Sequence, residues 1–374
     1  MFGFFSFYSI LALFILMLSS LAYKSNIRTQ NRLYMFLASV VLLFAICRGE
    51  SVGGDLAEYI PLFQRSAEYS SIFEILGTTL MSGYEVGFLA LCKFINYLSA
   101  DSRCFIVVTS ILSLIGPLFF INKYSKNKVF SLLLFILLGL YNFSFNNVRQ
   151  SIAISVVMFA VHFLIQGRKW HFLFLVVLAT SMHTSAIFSL LFLPLKSFRY
   201  TSRRVVKLTI FGIIIFFVFG TVLFQFLLSN IFTKYVGELD GANVAGTGYG
   251  LLCVYIVVVT ICSALFKKKK SFYNENDMII CTFLLYSLML AVLIQAFATY
   301  MANITRLANY FYIMLIILVP NIVEYTSNKK FWYMSFFLFY FLLACMTAWS
   351  PTGTLNTNST DTIPYVFLDN VFSL

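Results

Sequence analysis

Three side chains in this sequence are candidates for proton transfer. Asp55 follows two glycines, in a turn that could direct its carboxylate towards a membrane surface, Glu85 precedes an apolar helix, and His183 lies in the polar stretch 180–185. A carboxylate or an imidazole can act as general base on a hydroxyl within hydrogen-bond reach. Each has a structural alternative: Asp55 as a solvated loop acid, Glu85 as an acid favoured by a helix dipole, and His183 as a capping or packing residue.

Arginines in polar surroundings are candidates for binding an anion. Arg149 follows the polar stretch 141–147, and Arg306 lies within the polar stretch 303–310. A guanidinium group presents a planar fork of donors that matches phosphate and carboxylate groups. The predicted ligand-binding residues are Arg48, Asn146, Arg149, Gln150, Arg306 and Tyr310. For Arg48 and Arg65, pairing with the many nearby carboxylates is an equally good explanation.

The elements that must position these residues are apolar runs of helix length. The runs 207–228 and 277–298 are long enough to cross a hydrocarbon core of about 30 Å at about 1.5 Å per helical residue. With 60% hydrophobic residues and a mean hydropathy of +0.89, the chain is not a soluble protein. The runs are continuous rather than alternating, which predicts helices and not a barrel.

Charge divides the connecting segments into two classes. Of the 26 basic residues, 19 lie in the intervals 24–32, 122–128, 167–171, 196–207, 267–276 and 326–330, which are predicted to be cytoplasmic. The acidic interval 48–85 and the interval 229–250 are predicted to face the opposite, outer side. Five of the seven remaining basic residues are arginines, which favours an anionic ligand on that side. The net charge of +12 is explained by anionic membrane lipid, so no nucleic acid partner is predicted.

The predicted fold class is an all-α polytopic membrane protein, a single domain over 1–374 with about 12 crossings and both termini outside. Single spans are predicted at 4–22, 33–47, 104–121, 129–143, 150–166, 207–228, 249–266, 277–298, 306–325 and 331–348. The interval 84–100 carries Lys93 and Asn96 and is predicted to be an interfacial or re-entrant helix within an outer loop over 48–103. The interval 172–195 is predicted to be a short helical hairpin that turns at His183.

Several common kinds of site are not predicted. The seven cysteines are scattered without a Cys-x-x-Cys pair, so neither a disulfide framework, a zinc site nor any other metal site is expected. The sequence has no signature of a serine–histidine–acid triad and no phosphate-binding loop with its lysine. No cofactor is predicted.

A series of motifs occurs in a characteristic order along residues 48–367. The motifs are Gly54-Asp55 with Tyr59 and Phe63, Glu85-Val-Gly-Phe88, Phe145-Asn-Asn-Val-Arg-Gln150-Ser-Ile-Ala, Met182-His183-Thr-Ser-Ala186, Arg306 with Tyr310, and Pro364-Tyr365. This order resembles the EpsG-type branch of the Wzy polysaccharide polymerases and adds Tyr59 to the predicted binding residues. Val86 stands where many relatives have proline.

The resemblance implies a membrane glycosyltransferase of GT-C-like architecture in a bacterial inner membrane. Its substrate would be an oligosaccharide linked to undecaprenyl pyrophosphate, and its active site would face the periplasm, so 48–103, 229–250 and the tail 349–374 would be periplasmic. The growing glycan would be transferred to the non-reducing end of a new lipid-linked repeat unit, lengthening an O-antigen of lipopolysaccharide, a capsule or an exopolysaccharide. A chain-length regulator is a further expected partner. The arginines would stabilise the pyrophosphate leaving group, and a base would activate the acceptor hydroxyl.

Two other classes of function fit part of the same pattern. A flippase or other transporter of the same lipid-linked oligosaccharide would share the composition, although the sequence has no internal repeat and no charge clearly at mid-span. An acyltransferase or an O-antigen ligase would share the outer arginines and the histidine, and would differ in its acceptor.

Overall fold

The computed structural model describes residues 7–22, 27–71, 74–75, 77, 83–198, 247–269, 273–298 and 304–348. The α-helices of these ranges, numbered in chain order, are α1 (Phe7–Ala22), α2 (Ile27–Ile46), α3 (Asp55–Arg65), α4 (Val86–Leu98), α5 (Ser102–Tyr124), α6 (Lys128–Leu137), α7 (Leu140–Asn146), α8 (Val148–Ile165), α9 (Lys169–Met182), α10 (Phe192–Lys196), α11 (Thr247–Lys269), α12 (Glu275–Phe297), α13 (Ile304–Tyr312), α14 (Leu315–Val323) and α15 (Lys329–Ala348). Two 3₁₀ segments, Ser66–Glu68 and Thr184–Leu191, also occur in the described residues. The predicted all-α class is confirmed for this part of the chain.

Helices long and apolar enough to cross a membrane are numerous, which confirms a multi-pass membrane protein. In the described ranges they are Ile27–Ile46, Ser102–Tyr124, Val148–Ile165, Tyr249–Lys268, Glu275–Phe297 and Ile304–Val323. The predicted spans 4–22 and 331–348 coincide with α1 and α15, which are not among these six helices. The predicted span 207–228 lies outside the described residues, and the total of about 12 crossings stays a prediction.

The predicted span 129–143 is not one straight helix. The structure divides it into α6 and α7, which are bent by 53° relative to each other. Gly139 between them has a φ of +72°, a left-handed conformation that glycine adopts without steric cost and that ends α6. Counted as one broken span, this pair is a seventh candidate crossing.

Contacts within the chain define two compact units, of which the first contains residues 1–190 and 328–374. In this unit α8 packs against both α5 and α9. The α5–α8 contact depends on small residues, because the amide of Gly116 donates to Ser155 Oγ at 2.8 Å. A Cβ atom at Gly116 would lie 2.3 Å from the Ser155 carbonyl oxygen, so no larger residue fits there.

The second unit contains residues 191–327, and α12 packs in it against α11 and α13. Asn274 caps α12 by accepting a hydrogen bond from the Asp277 amide at 2.7 Å. The rings of Tyr255 and Tyr312 stack with centroids 3.8 Å apart. Tyr255 and Tyr312 are both buried and belong to the core of this unit.

The short helices α3 and α4 form a layer held to α5 and α8 by a buried cluster that includes Leu56, Phe63 and Phe105. Polar residues of α4 cap the end of α3: Lys93 Nζ donates to the Ala67 carbonyl at 2.9 Å and Asn96 Nδ2 to the Phe63 carbonyl at 3.3 Å. Thirteen residues extend only about 20 Å as a helix, which is less than a bilayer core. The interfacial position of α4 stays a prediction.

Candidate active site

Glu85 lies at the centre of a polar cluster in the first unit, at the residue preceding α4. Its side chain is 8% exposed, and its Oε2 forms an ion pair with the guanidinium group of Arg149. Its Oε1 lies 2.9 Å from His183 Nδ1 and accepts a hydrogen bond from the Thr184 amide at 3.0 Å. The Thr184 hydroxyl is a further donor to the same oxygen at 3.3 Å. Residues from three distant parts of the sequence therefore meet at one carboxylate.

The local sequence around Glu85 explains how α4 reaches His183. A Cβ atom at Gly87 would lie 2.3 Å from Ser181 Oγ and 2.7 Å from the Ser181 carbonyl oxygen. Only glycine permits this approach of the first turn of α4 to the last turn of α9. Because α9 ends at Met182 and His183 has an extended backbone, the imidazole and the Thr184 amide are presented to the carboxylate.

Arg149 is held by a carboxylate, a phenol and three aromatic rings. Its Nε donates to the Tyr59 hydroxyl at 2.7 Å, and its Nη1 donates to Glu85. The guanidinium carbon lies 5.0 Å, 5.3 Å and 5.9 Å from the ring centroids of Tyr84, Tyr59 and Phe88, distances at which cation–π attraction contributes. Nη2 has no hydrogen-bond partner among the described residues, and the side chain is 20% exposed. This nitrogen can therefore bind an anion without breaking the contacts that hold the group.

The electrostatics of the cluster fix the protonation of Glu85. Burial alone would raise the pKa of Glu85, but the hydrogen bond from His183, the charges of Arg149 and His183 and the Thr184 amide outweigh it and lower the pKa to about 2. The carboxylate is ionised at neutral pH and can only accept hydrogen bonds. His183 Nδ1 is therefore the donor of this hydrogen bond, and in the neutral tautomer that fits this contact the lone pair lies on Nε2.

The Nε2 atom of His183 is available to a substrate. The imidazole is 21% exposed, and no described residue forms a hydrogen bond with Nε2. A carboxylate that accepts a hydrogen bond from one imidazole nitrogen orients the ring and stabilises its imidazolium form. The other nitrogen can then take a proton from a hydroxyl group. The arrangement can perform general-base chemistry beside a bound anion.

The Gly53–Asp55 turn lies against the break between α7 and α8. Gly53 has a φ of +108°, and a Cβ atom there would lie 2.3 Å from the Phe145 carbonyl oxygen. The Gly54 amide donates to Asn146 Oδ1 at 3.0 Å, and the Val148 amide donates to Asp55 Oδ2 at 3.3 Å. Asp55 thus binds an otherwise unpaired amide at the start of α8, one residue before Arg149.

The other predicted binding residues are placed differently. Arg48 is 1% exposed, and its guanidinium carbon lies 4.6 Å from the Phe145 ring centroid. Gln150 is buried on α8. Arg306 is exposed on α13 and Tyr310 is buried there, both in the second unit. The structure brings together four of the predicted residues, which are Tyr59, Glu85, Arg149 and His183.

Sequence reasoning missed three members of this cluster. Thr184 binds Glu85, while Tyr84 and Phe88 lie beside the Arg149 guanidinium group. Thr184 follows His183 in the sequence, and Tyr84 and Phe88 lie within three residues of Glu85. This proximity to two candidate residues is the signal that could have identified them. In the described ranges, no group of three or more histidine, cysteine, aspartate or glutamate side chains could hold a metal ion.

Comparison with known proteins gives one match. The sequence model of the EpsG family matches residues 31–367, which is most of the chain and includes every member of the cluster around Glu85. Neither a curated protein nor a solved structure matches. The chain therefore belongs to the EpsG family.

Proposed function

We propose that this protein is a glycosyltransferase that polymerises oligosaccharide repeat units linked to undecaprenyl pyrophosphate. Membership of the EpsG family suggests a polysaccharide polymerase. The observation that carries the proposal is the ion-paired cluster of Arg149, Glu85 and His183, with one imidazole nitrogen and one guanidinium nitrogen left for substrate among the described residues. A base beside a cation is what transfer of a sugar from a pyrophosphate to a hydroxyl requires.

In the proposed reaction, His183 Nε2 accepts the proton of the acceptor hydroxyl. The acceptor oxygen forms a bond to the anomeric carbon of the donor glycan. The bond between that carbon and the pyrophosphate oxygen breaks, and its electron pair stays on the pyrophosphate. Arg149 Nη2 binds the leaving group, and Glu85 stabilises the imidazolium that forms.

Glu85 is a poor candidate for the base in this reaction. Both of its oxygens are occupied, and its pKa of about 2 leaves it little tendency to bind a proton near neutral pH. Asp55 ranks below His183 as a candidate base, because its Oδ2 already accepts a hydrogen bond from the Val148 amide. The geometry therefore favours His183 as the base and Glu85 as the residue that orients it.

The charge distribution supports a periplasmic active site in the inner membrane. The intervals that supply Asp55 and Glu85 are acidic, whereas 19 of the 26 basic residues lie in the intervals predicted to be cytoplasmic. The lipid carrier would hold the substrate at the membrane surface, where the cluster would meet the pyrophosphate. A chain-length regulator is a further proposed partner of the protein.

The glycan profile of a deletion strain tests the proposal. Loss of a polymerase leaves single repeat units on lipid A, or no capsule polymer, and the wild-type gene or a Glu68→Gln control restores long chains. Glu68 is an exposed acid of the same outer interval, so it controls for loss of charge alone. Loss of both repeat and polymer would indicate a flippase, and polymer that stays on its lipid carrier would indicate a ligase. Either result would overturn the proposal.

A further inference from the structure

Glu58, which is exposed, and Tyr84, which is half-buried, form a pair beside Arg149 that the proposed reaction does not use. The Tyr84 hydroxyl donates a hydrogen bond to Glu58 Oε1. The Tyr84 ring lies 5.0 Å from the guanidinium carbon of Arg149 and meets the Tyr59 ring edge to face, with centroids 6.3 Å apart. Tyr84 thus connects the ion-paired cluster to a carboxylate on the surface of α3.

Glu58 offers hydrogen-bonding capacity that the described residues leave open. Glu58 is exposed, and its Oε2 accepts no hydrogen bond from a described residue. Burial and the hydrogen bond to Glu58 raise the pKa of Tyr84 to about 12, so its phenol stays protonated at neutral pH. Arg65 lies two helical turns after Glu58 on the same face of α3 and adds a donor there.

This combination matches the chemistry of a sugar. Hydroxyl groups of a pyranose donate to a carboxylate and accept from a guanidinium, and its C–H face packs on an aromatic ring. Buried contacts of Leu56, Phe63 and Phe88 already hold α3 to α4, so an exposed hydrogen bond is not needed for that purpose. The Tyr84 ring of this pair also lies beside the Arg149 guanidinium group, which would bind the leaving group.

We propose that Glu58 and Tyr84 form a subsite that binds a sugar of the lipid-linked substrate next to the bond that reacts. The subsite rests on the proposed function, because it places a sugar beside the pyrophosphate group at Arg149. That sugar belongs either to the donor glycan or to the acceptor repeat unit. Both present the same hydroxyl groups, and the experiment below distinguishes them.

The test uses the full protein, purified in detergent, and the lipid-linked repeat unit that the deletion strain accumulates. Two inhibitors separate the parts of the substrate: the free oligosaccharide released from that repeat unit, and undecaprenyl phosphate without sugar. Glu58→Ala removes the carboxylate that would bind the sugar, and Tyr84→Phe removes the hydrogen bond that positions this carboxylate. Each variant should raise the oligosaccharide concentration for half inhibition about tenfold, the effect of losing a hydrogen bond to a charged group. Inhibition by undecaprenyl phosphate should not change, and Glu68→Ala should behave as the wild type with both inhibitors.

Varying one substrate at a time identifies the bound sugar. With preformed lipid-linked chains as donor and single repeat units as acceptor, the KM of only one of them should rise in the variants. Unchanged inhibition by the oligosaccharide, or an equal change for both inhibitors, would overturn the subsite while leaving an active polymerase. A wild-type protein that forms no polymer would overturn the proposed function and the subsite together. Tyr84→Phe is conservative enough to keep the test valid if Glu58→Ala does not fold.

Discussion

Arg149 and Arg306 look alike in the sequence and lie in contrasting surroundings in the structure. Each is near the end of an apolar run, in a polar stretch and without an acidic neighbour. Arg149 belongs to the first unit, where it is mostly buried between Glu85, Tyr59 and two further rings. Arg306 belongs to the second unit, where it is exposed on α13. The residues that surround Arg149 come from intervals at least 61 positions away in the sequence.

The comparison shows that an arginine with no acidic neighbour in the sequence can still be paired with an acid in the structure. Arg149 uses Nε and Nη1 within the protein, so only one edge of its fork remains for phosphate. Arg149 holds the Glu85 carboxylate, and Glu85 in turn orients the His183 imidazole. An arginine that only binds phosphate would not orient another side chain in this way. The two arginines should therefore respond differently to the same substitutions.

The largest expected effect is that of Arg149→Lys. A lysine ammonium cannot donate to Tyr59 and Glu85 in two fixed directions, so the variant should lose polymerising activity by about 100-fold or more, nearly as much as Arg149→Ala. Arg306→Lys keeps the charge at an exposed position of α13 and should lose less activity. Polymer length on a gel and initial rates in membranes measure both. Full activity of Arg149→Lys, with normal protein levels, would show that Arg149 only supplies a general positive charge.

A smaller but still large effect is expected for Gly87→Ala. The added methyl group would lie 2.3 Å from Ser181 Oγ and would push α4 from α9, which separates Glu85 from His183. Activity should fall about tenfold or more, and stability should fall by about 1–3 kcal/mol, as for other overpacked sites. Gly250→Ala is the matched control, because a Cβ atom there has no heavy atom within 4 Å. Equal behaviour of the two variants would contradict the close approach of the helices.

A moderate effect is expected for Tyr59→Phe. The ring that faces Arg149 is kept, but the hydroxyl that accepts from Nε at 2.7 Å is lost. A buried guanidinium without one partner should lower kcat by about threefold to tenfold. The same variant should not change inhibition by free oligosaccharide, which separates it from Tyr84→Phe. A KM effect without a kcat effect would instead make Tyr59 a substrate-binding residue, as the sequence predicted.

The smallest expected effect is on acid stability. Ionised Glu85 has a pKa lowered from 4.5 to about 2, so its contribution is complete above about pH 4.5 and is lost as the pH falls towards 2. The thermal unfolding midpoint of the wild type in detergent should drop through that window more steeply than that of Glu85→Gln, whose amide does not titrate. Parallel curves for the two proteins would show that Glu85 is not ionised in the folded state.

The sequence predicted the individual residues of the cluster better than their roles. Apolar runs and loop charges predict most of the helices, since both depend on local composition. Glu85, Arg149 and His183 were each recognised as candidates, but Arg149 was assigned to phosphate and Glu85 to a possible base. Their roles depend on side-chain contacts across 64 and 98 positions, which no local pattern contains. Arg48 shows the same limit, because its burial against Phe145 follows from tertiary packing.

The role of His183 as base is tested most directly by comparing His183→Gln with His183→Ala in the purified polymerisation assay. Glutamine keeps a hydrogen bond to Glu85 but has no basic nitrogen, so both variants should be inactive although both accumulate in the membrane at the wild-type level. Substrate should still bind to the His183→Gln variant. An excess of the lipid-linked repeat unit should therefore raise the thermal unfolding midpoint of this variant. Polymer of wild-type length from His183→Gln would rule out proton transfer by His183 and contradict the account.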